Sequence, residues 1–465
     1  MTDITANVCI QEARNHVPGY EIPATDYCNR IEAVRNYLSQ NNLDAHVVSS
    51  EIALQYLTGV DFYPLERPFF MIIFNDQRPP RLLIPIMEKT HFQSQLQDIG
   101  LTNVEVLTYD EYLAAPGHCW QDQMASLLAD TNSVAVEPSL PLERAENIKS
   151  NYEDSNSVVM ANITEQLRMV KSEDEIALIR QASDYATAGM EKLYKQSYPK
   201  MPIVQIFSNG KKVLQDMIAD YHEHGVSPSA IHNTSLIAAW PDDMSSDPHY
   251  IPHFTDRIER GAIHMSFIEF AGYYSELETK VERKKASPEE KYYYDLMMKS
   301  REAALSLLGP GVTGAEIDAA AKQVFYDAGL SYEHILHRTG HGLGLEHHEA
   351  PFLVAGDHTI LEPGMVVSIE PGIYIKGQSE EVSPGVYTPI PGEECDPEIE
   401  CPGAGGYRHS HTYLITEDGF EDLTPFTTDW QDVTTYKGGI GPRIMGALIG
   451  SALKFKEYED LTASP

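Results

Sequence analysis

The densest group of chemically active side chains lies in HRTGHGLGLEHHEAP, residues 337–351. This stretch contains four histidines, two glutamates and three glycines. Imidazole and carboxylate groups bind metal ions and move protons near neutral pH, and glycines permit close approach of a neighbouring backbone. His341 and His348 lie within the stretch, and EPGIYI downstream adds Glu370. These residues predict a site for a metal ion or for general acid–base catalysis.

The bulk composition excludes several classes of function. Hydrophobic residues make up 42% of the 465 residues and charged residues 22%, as in ordinary globular proteins. The formal net charge is −35, whereas nucleic-acid binding needs a positive surface, so we expect no nucleic-acid partner. No apolar run approaches the roughly 18 residues that a membrane helix needs, so we expect no membrane span.

The start of the chain and its cysteines predict a cytoplasmic location. Residues 1–16 lack the basic and apolar regions of a secretory signal, so we expect no leader. The five cysteines are scattered and form no CxxC pair, which is typical of a protein kept in a reducing compartment.

The sequence around these residues predicts two domains and a tail. Residues 1–160 alternate helical spacing with short apolar runs, which indicates an α/β domain. Residues 161–426 indicate an α+β domain, in which residues 376–406 form a loop insertion rich in Gly, Pro and Glu. Residues 427–465 form a C-terminal tail, which we expect to pack on the body of the protein.

Local signals place the individual elements of the two domains. Ser172 with Glu175 three residues later predicts the N-cap of a helix, and Gly329 predicts a helix end. The predicted strands and helices are as follows: strands over 44–50, 69–76, 81–86, 133–137, 263–274, 365–375 and 411–416, and helices over 31–43, 165–196, 287–308 and 314–329.

Several motifs together resemble the pita-bread hydrolases, a family that includes Xaa-Pro peptidases, methionine aminopeptidase and creatinase. Along the chain the motifs are DPHYIPHFTDRIERG, AGYYSELETK, GHGLGLEHHEAP, LEPGMVVSIEPGIYI and YRHSHTYLITEDGFEDLT. They occur in the same order as in that family. The resemblance covers roughly residues 25–426. It implies an α/β N-terminal creatinase-like domain, an α+β pita-bread catalytic domain and a homodimer in which one subunit completes the other's site.

The resemblance also implies where metal ligands should lie. Peptidases of this family hold two metal ions with two Asp, one His and two Glu. The His corresponds to His341 and one Glu to Glu370, whereas Glu276 replaces the second Asp. The first Asp is replaced by Phe267 or Glu269, and the last Glu by Ser410. Because too few anionic oxygens remain to offset two cations, we expect no metal and no other cofactor. The alternative is one residual metal ion held by His341, Glu370 and Glu276.

The metal-free branch of the family, which contains creatinase and ectoine hydrolase, is more similar in its motifs. AGYYSELE, ending in Glu278, and GAGGYR resemble creatinase sequences, whereas His348 stands where creatinase has an arginine. This resemblance implies the following site residues: His249, Glu278, Glu370, His341 and His348 as catalytic groups, and Arg67, Glu276 and Tyr273 as substrate-binding groups.

These groups predict a metal-independent hydrolase of a non-peptide C–N bond. His249 would move a proton, and Glu278 with Glu370 would hold a cationic substrate or attack it. The expected substrate is a small amidine, guanidino or cyclic-amidine compound, similar to ectoine or creatine. The alternatives are a metal-dependent Xaa-Pro dipeptidase or aminopeptidase, a lyase of a small zwitterion, and a non-catalytic binding module. Metal content and activity in the presence of EDTA separate them.

Overall fold

The computed structural model describes residues 16–111, 114–282, 286–392 and 401–434. These residues form an α/β unit followed by an α+β unit, each built around one large sheet. No helix in these ranges is long and apolar enough to cross a membrane. The part of the tail beyond residue 434, whose packing the sequence predicts, lies outside the described residues.

The N-terminal domain is a mixed sheet with helices on both faces. The strand order is β4-β3-β2-β1-β5-β6, with β1 antiparallel to β2 and parallel to β5. Its elements are α1 (Ala24–Gln40), β1 (Ala45–Val48), α2 (Glu51–Thr58), β2 (Phe70–Phe74), β3 (Arg81–Pro85), α3 (Lys89–Ile99), β4 (Glu105–Tyr109), α4 (Trp120–Leu127), β5 (Val134–Val136), α5 (Leu142–Lys149) and β6 (Val158–Met160).

The run FMIIF explains why β2 lies at the centre of this sheet. All five residues are buried, because their side chains alternate between two apolar clusters on opposite faces. Met71 and Ile73 pack on one face, and Phe70, Ile72 and Phe74 pack on the other. A continuous apolar run is typical of a strand covered on both faces.

The catalytic domain is built on an antiparallel sheet in the order β11-β10-β12-β17-β9-β8-β7, with β18 paired to β17. Two small antiparallel sheets of two strands each, β13 with β16 and β14 with β15, lie outside it. The elements are α6 (Ile163–Met169), α7 (Glu173–Gln196), α8 (Ile203–Glu223), β7 (Thr234–Pro241), α9 (Asp242–Ser245), β8 (Gly261–Phe270), β9 (Tyr273–Glu282), α10 (Pro288–Leu307), α11 (Gly314–Asp327), β10 (Gly340–Gly342), β11 (Glu349–Leu353), β12 (Val366–Ile369), β13 (Gly372–Ile375), β14 (Ser379–Ser383), β15 (Val386–Pro389), β16 (Gly405–Arg408), β17 (Ser410–Thr416), β18 (Gly419–Asp422) and α12 (Trp430–Thr434).

Several predicted elements are confirmed, and others differ for local reasons. Ser172 caps α7 through a capping box with Glu175, as the sequence predicts. The predicted helix over 165–196 is broken before this cap, where the Lys171 N–H donates to the carbonyl of Gly364 instead. The predicted strand over 263–274 ends at Phe270, because the chain turns at Ala271 and Gly272 with positive φ.

The segment predicted as a loop insertion is partly regular. Residues 376–406 contain the hairpin of β14 and β15 and the start of β16. Residues 393–400 lie outside the described residues. The amphipathic helix α8 has no counterpart among the predicted elements, although its apolar side chains recur at helical spacing and are buried against the core.

Candidate active site

Four neighbouring strands bring the chemically active side chains to one face of the catalytic sheet. Strand β9 carries Glu276 and Glu278, which project on the same side because side chains alternate along a strand. His341 lies on β10, and Glu370 directly follows β12. Ser410 begins β17, where it pairs with Glu278. Glu276 and Glu278 are each 2% exposed, so their charges need partners inside the protein.

The glycines of the His-rich stretch place His341 among these carboxylates. A Cβ at Gly340 would collide with the carbonyl of Ser368 on β12, and one at Gly342 would lie 2.5 Å from the carbonyl of Ala350. Strand β10 therefore approaches both neighbouring strands more closely than a residue with a side chain would allow. This approach fixes the His341 ring, which is fully buried.

His341 lies between two carboxylates and beside a second imidazole. Its Nε2 is 3.3 Å from Glu370 Oε1 and 3.7 Å from Glu276 Oε2. Its ring centroid is 3.9 Å from that of His348. The Nε2 atom is buried and has no hydrogen-bond partner among the described residues. One ligand atom from each of Glu276, His341 and His348 lies within 4.8 Å of the others, as a metal site requires.

Two further side chains hold Glu276 in place. His347 Nε2 is 2.8 Å from Glu276 Oε2, and Ser410 Oγ donates to Glu276 Oε1 at 2.7 Å. Ser410 therefore contacts the ligand cluster through a hydroxyl, without adding a negative charge. Phe267 pairs with Glu276 across the β8–β9 hairpin, and its ring packs edge-on against His347. Phe267, rather than Glu269, thus takes the place opposite Glu276.

Arg408 supplies a fixed positive charge in the other half of the site. Its Nη2 donates to Glu278 Oε1 at 2.8 Å, and its Nε donates to Glu278 Oε2. The guanidinium also lies 3.9 Å from Glu370 Oε2 and donates to the Tyr374 hydroxyl at 3.2 Å. Arg408 thereby neutralises carboxylate charge that a second metal ion would otherwise have to offset.

The surroundings of these groups separate their pKa values. Burial raises the pKa of Glu278 above its ordinary value, in spite of the attraction of Arg408. Burial alone would also raise the pKa of Glu370, but the adjacent imidazole of His341, 3.3 Å away, holds it well below its usual range. Burial and the neighbouring imidazoles His341 and His347 lower the pKa of His348 to about 4, so His348 is neutral near pH 7.

Three of the predicted site residues lie apart from this cluster. His249 is exposed in the turn after α9, and its ring makes no hydrogen bond or ion pair with another described residue. Arg67 pairs with Glu111 on the surface of the N-terminal domain. The Tyr273 hydroxyl donates to Glu175 at 2.9 Å, in the buried contact between the two domains. The roles assigned to these three residues stay predictions.

Sequence reasoning missed Arg408 and His347. Arg408 lies in GAGGYR, which was noted only as a motif, and its contact with Glu278 spans 130 positions of sequence. One signal could have identified Arg408: the predicted site contains more buried carboxylates than cationic side chains to pair with them. His347 stands beside the better-framed His348, and nothing local indicates which of the two contacts Glu276.

Comparison with known proteins agrees with this architecture. The family model described as metallopeptidase family M24 matches residues 177–417, and the creatinase/prolidase N-terminal domain matches residues 30–170. A Xaa-Pro dipeptidase of Lactobacillus delbrueckii subsp. lactis is 25% identical over 85% of this chain and 96% of its own length. The Xaa-Pro dipeptidase of Pyrococcus furiosus is 24% identical over 85% of this chain and 97% of its own.

Solved structures show the same two-domain fold. Dipeptidase PepE from Mycobacterium ulcerans superposes with a TM-score of 0.68 at 24% identity, covering 87% of this chain and 97% of its own. A Xaa-Pro dipeptidase from Bacillus anthracis gives a TM-score of 0.64 at 21% identity, covering 87% and 99%. At this identity the likeness concerns the fold.

These findings correct the predicted function. A non-peptide C–N hydrolase is the wrong expectation, because the relatives that match along the whole catalytic domain are named Xaa-Pro dipeptidases, which cleave peptide bonds. The specific likeness to the creatinase and ectoine hydrolase branch is likewise not supported, since it rests on short motifs. The predicted fold is confirmed. With its catalytic sheet matched over residues 177–417, the chain belongs to metallopeptidase family M24.

Proposed function

We propose that this protein hydrolyses the peptide bond before proline in short Xaa-Pro peptides, using one divalent cation held by Glu276, His341 and His348. The relatives named Xaa-Pro dipeptidase, which cover 85% of this chain, support the reaction class. The three converging ligand atoms support the single cation. The proposal replaces the expectation that the protein uses no metal.

The observation that carries the proposal is the buried Nε2 of His341. A buried ring nitrogen without a hydrogen bond costs free energy, and this one lies between two carboxylates. Two imidazoles and a carboxylate form a donor set that suits a first-row divalent metal such as zinc or manganese. With Arg408 already bound to Glu278, the charge in this face fits one cation better than two.

The side chains around the cluster can assist hydrolysis. When bound, the cation supplies Lewis-acid polarisation of the peptide carbonyl. Glu370 remains ionised, because its pKa is held low, so its carboxylate can accept a hydrogen bond from water and orient it. Arg408 keeps Glu278 and Glu370 in fixed positions, and this makes it a positioning residue.

Arg338 offers a site for the carboxylate of a dipeptide. It is half-buried at the rim of the cluster, where its Nη2 lies 3.1 Å from Nδ1 of His348. Its guanidinium also lies over the Phe352 ring, 4.4 Å from the centroid, which restricts its orientation. A fixed guanidinium beside the cleavage site favours substrates whose C-terminal carboxylate lies one residue beyond the cleaved bond.

Metal removal and reloading test the proposal. The purified protein is stripped with EDTA, dialysed and reloaded with manganese, cobalt or zinc, and hydrolysis of Ala-Pro is compared with that of Ala-Gly. We expect one ion per chain, restored activity after reloading and preference for Ala-Pro. Full activity of the stripped protein, equal cleavage of Ala-Gly, or no turnover with any metal would each contradict the proposal, the last in favour of a binding module.

The homodimer and the cytoplasmic location remain predictions. In the dimer, Arg67 of one subunit would reach the site of the other, as the family resemblance implies. Analytical ultracentrifugation tests the dimer, and the activity of Arg67→Ala tests the reach of that side chain. Cell fractionation tests the location.

A further inference from the structure

A cavity lies between the two domains, beside the turn of the β8–β9 hairpin. Its volume is about 350 Å³. Gln55 of α2 and Asp61 line it from the N-terminal domain, and His232 and Ala271 line it from the catalytic domain. None of the ligand or positioning residues of the candidate active site lines this cavity. A cavity of this size suits a ligand of amino-acid dimensions.

The cavity concentrates negative charge around one imidazole. His232 Nε2 is 3.5 Å from Asp61 Oδ1, and His232 Nδ1 is 3.4 Å from Glu269 Oε1. Glu51 at the start of α2 adds a third carboxylate that acts electrostatically on His232. Even with His232 protonated, three carboxylates and one imidazolium leave two negative charges. The cation Arg30 also lines the cavity, but it is paired with Glu175.

An unpartnered amide gives an independent indication of a ligand. The Gln55 side chain is more than nine-tenths buried, with 8% exposed, and lines the cavity. Its amide makes no hydrogen bond to any residue that the structure describes. Because this amide has no partner in the described part of the protein and lines the cavity, a polar ligand there can hydrogen-bond to it. Gly272 leaves the space for this amide, since a Cβ there would lie 2.7 Å from Gln55 Nε2.

The backbone around the cavity is held in an uncommon conformation. His232 and Ala271 both adopt positive φ, at 62° and 49°. The Gly272 N–H donates to the carbonyl of His232 at 2.8 Å and ties the two segments together. Side-chain-bearing residues in this conformation carry strain, and such strain concentrates at ligand sites. Here it presents the His232 ring to Asp61.

We propose that this cavity binds a small primary ammonium compound through the Asp61 carboxylate and the Gln55 amide oxygen. An ammonium group has three donors and one positive charge, which matches a carboxylate, an amide oxygen and the excess of acid around His232. Burial raises the pKa of both Asp61 and Glu51, so their charges lack solvation that a bound cation would replace. The site goes beyond the proposed peptidase activity and does not depend on it.

Titration calorimetry at low salt with n-butylammonium chloride tests the proposal, with 1-butanol as the uncharged control. We expect the amine to bind and the alcohol not to bind. Asp61→Asn should weaken binding about tenfold or more, which corresponds to roughly 1.4 kcal/mol. The matched control Asp130→Asn removes an exposed carboxylate of the same domain that pairs with Arg78, and it should leave binding unchanged.

A second variant, which should bind the amine more tightly, keeps the test valid if Asp61→Asn fails to fold. Gln55→Glu keeps the size of the side chain and adds a negative charge, so it should strengthen amine binding several-fold. Binding should also be unchanged in His341→Ala, which separates this cavity from the active site. Absence of heat with the wild-type protein, equal binding of the alcohol, or unchanged affinity in both Asp61→Asn and Gln55→Glu would overturn the proposal.

Discussion

The two large sheets of this protein bury opposite kinds of side chain. Strand β2 of the N-terminal sheet buries five consecutive apolar residues. Strand β9 of the catalytic sheet buries four charged residues on one face, namely Glu276, Glu278, Lys280 and Glu282, each at most 2% exposed. The first sheet gains stability from apolar area removed from water, whereas the second pays a desolvation cost that only paired partners offset.

Pairing along β9 shows how that cost is met. Glu278 pairs with Arg408, and Lys280 pairs with Asp242 and Glu282. The N-terminal sheet has a buried ionisable group too, His46 on β1, whose Nε2 has no partner among the described residues. The catalytic sheet can bury charged side chains because they form ion pairs with one another and with neighbouring residues. His46 has no such partner in the part of the chain that the structure describes, and it is buried in its neutral form.

Breaking the Arg408 pair should have the largest effect. Arg408→Met leaves Glu278 buried and uncompensated, so unfolding free energy should fall by about 3–5 kcal/mol, measured by urea denaturation. The control Arg180→Met breaks an exposed pair with Glu421 and should cost less than about 1 kcal/mol. The double variant with Glu278→Gln should recover part of the loss. Equal costs for the buried and exposed pairs would remove the contrast between the sheets.

A cavity in the N-terminal sheet should cost stability without altering the site. Ile73 is fully buried in β2, so Ile73→Ala should lower the unfolding free energy by roughly 2–5 kcal/mol. Metal content and kcat/KM per folded molecule should stay at the wild-type values. A loss of metal from this variant would mean that the N-terminal sheet shapes the site directly.

Removing the central ligand should abolish metal binding and most of the activity. We expect His341→Ala to lose its bound cation and to lower kcat/KM for Ala-Pro by about 100-fold or more. Mutating a side chain that only hydrogen-bonds to a metal ligand already lowers metal affinity or activity by about 10–100-fold. Thermal unfolding of the stripped variant should also occur at a lower temperature than that of the stripped wild-type protein, because a buried ring that lies between Glu276 and Glu370 is lost. The exposed His118 provides the control variant His118→Ala. Retained metal in His341→Ala would rule out the assigned ligand set.

The smallest effect should come from acid titration of His46. Burial lowers the pKa of His46 to about 4, below its ordinary value of 6.5. The unfolded chain therefore takes up the proton first as pH falls, so the stabilising effect is complete above about pH 6.5 and is lost toward pH 4. When the pH falls from about 7.5 to 5.5, the unfolding free energy of the wild-type protein should decrease by about 1 kcal/mol more than that of His46→Leu. Parallel urea-stability profiles for the two proteins would contradict this.

Local sequence determined much of the fold. The run FMIIF specified a strand buried on both faces, and the spacing of Ser172 and Glu175 specified a helix start. Both signals act between residues a few positions apart, so they can be read directly from the chain. The His-rich stretch identified His341 in the same way, because its glycines act on the backbone that carries it.

Only the tertiary structure decided how the site is charged. The position of the turn at Ala271 and Gly272 sets Phe267 opposite Glu276, and the pairing of β17 with β9 sets Ser410 opposite Glu278. Contacts such as Arg408 with Glu278 join segments more than a hundred residues apart. They depend on strand register and chain topology, whose determinants are spread over the whole domain. Short motifs do not contain this register, and for that reason they indicated the creatinase and ectoine hydrolase branch, which the comparisons do not support.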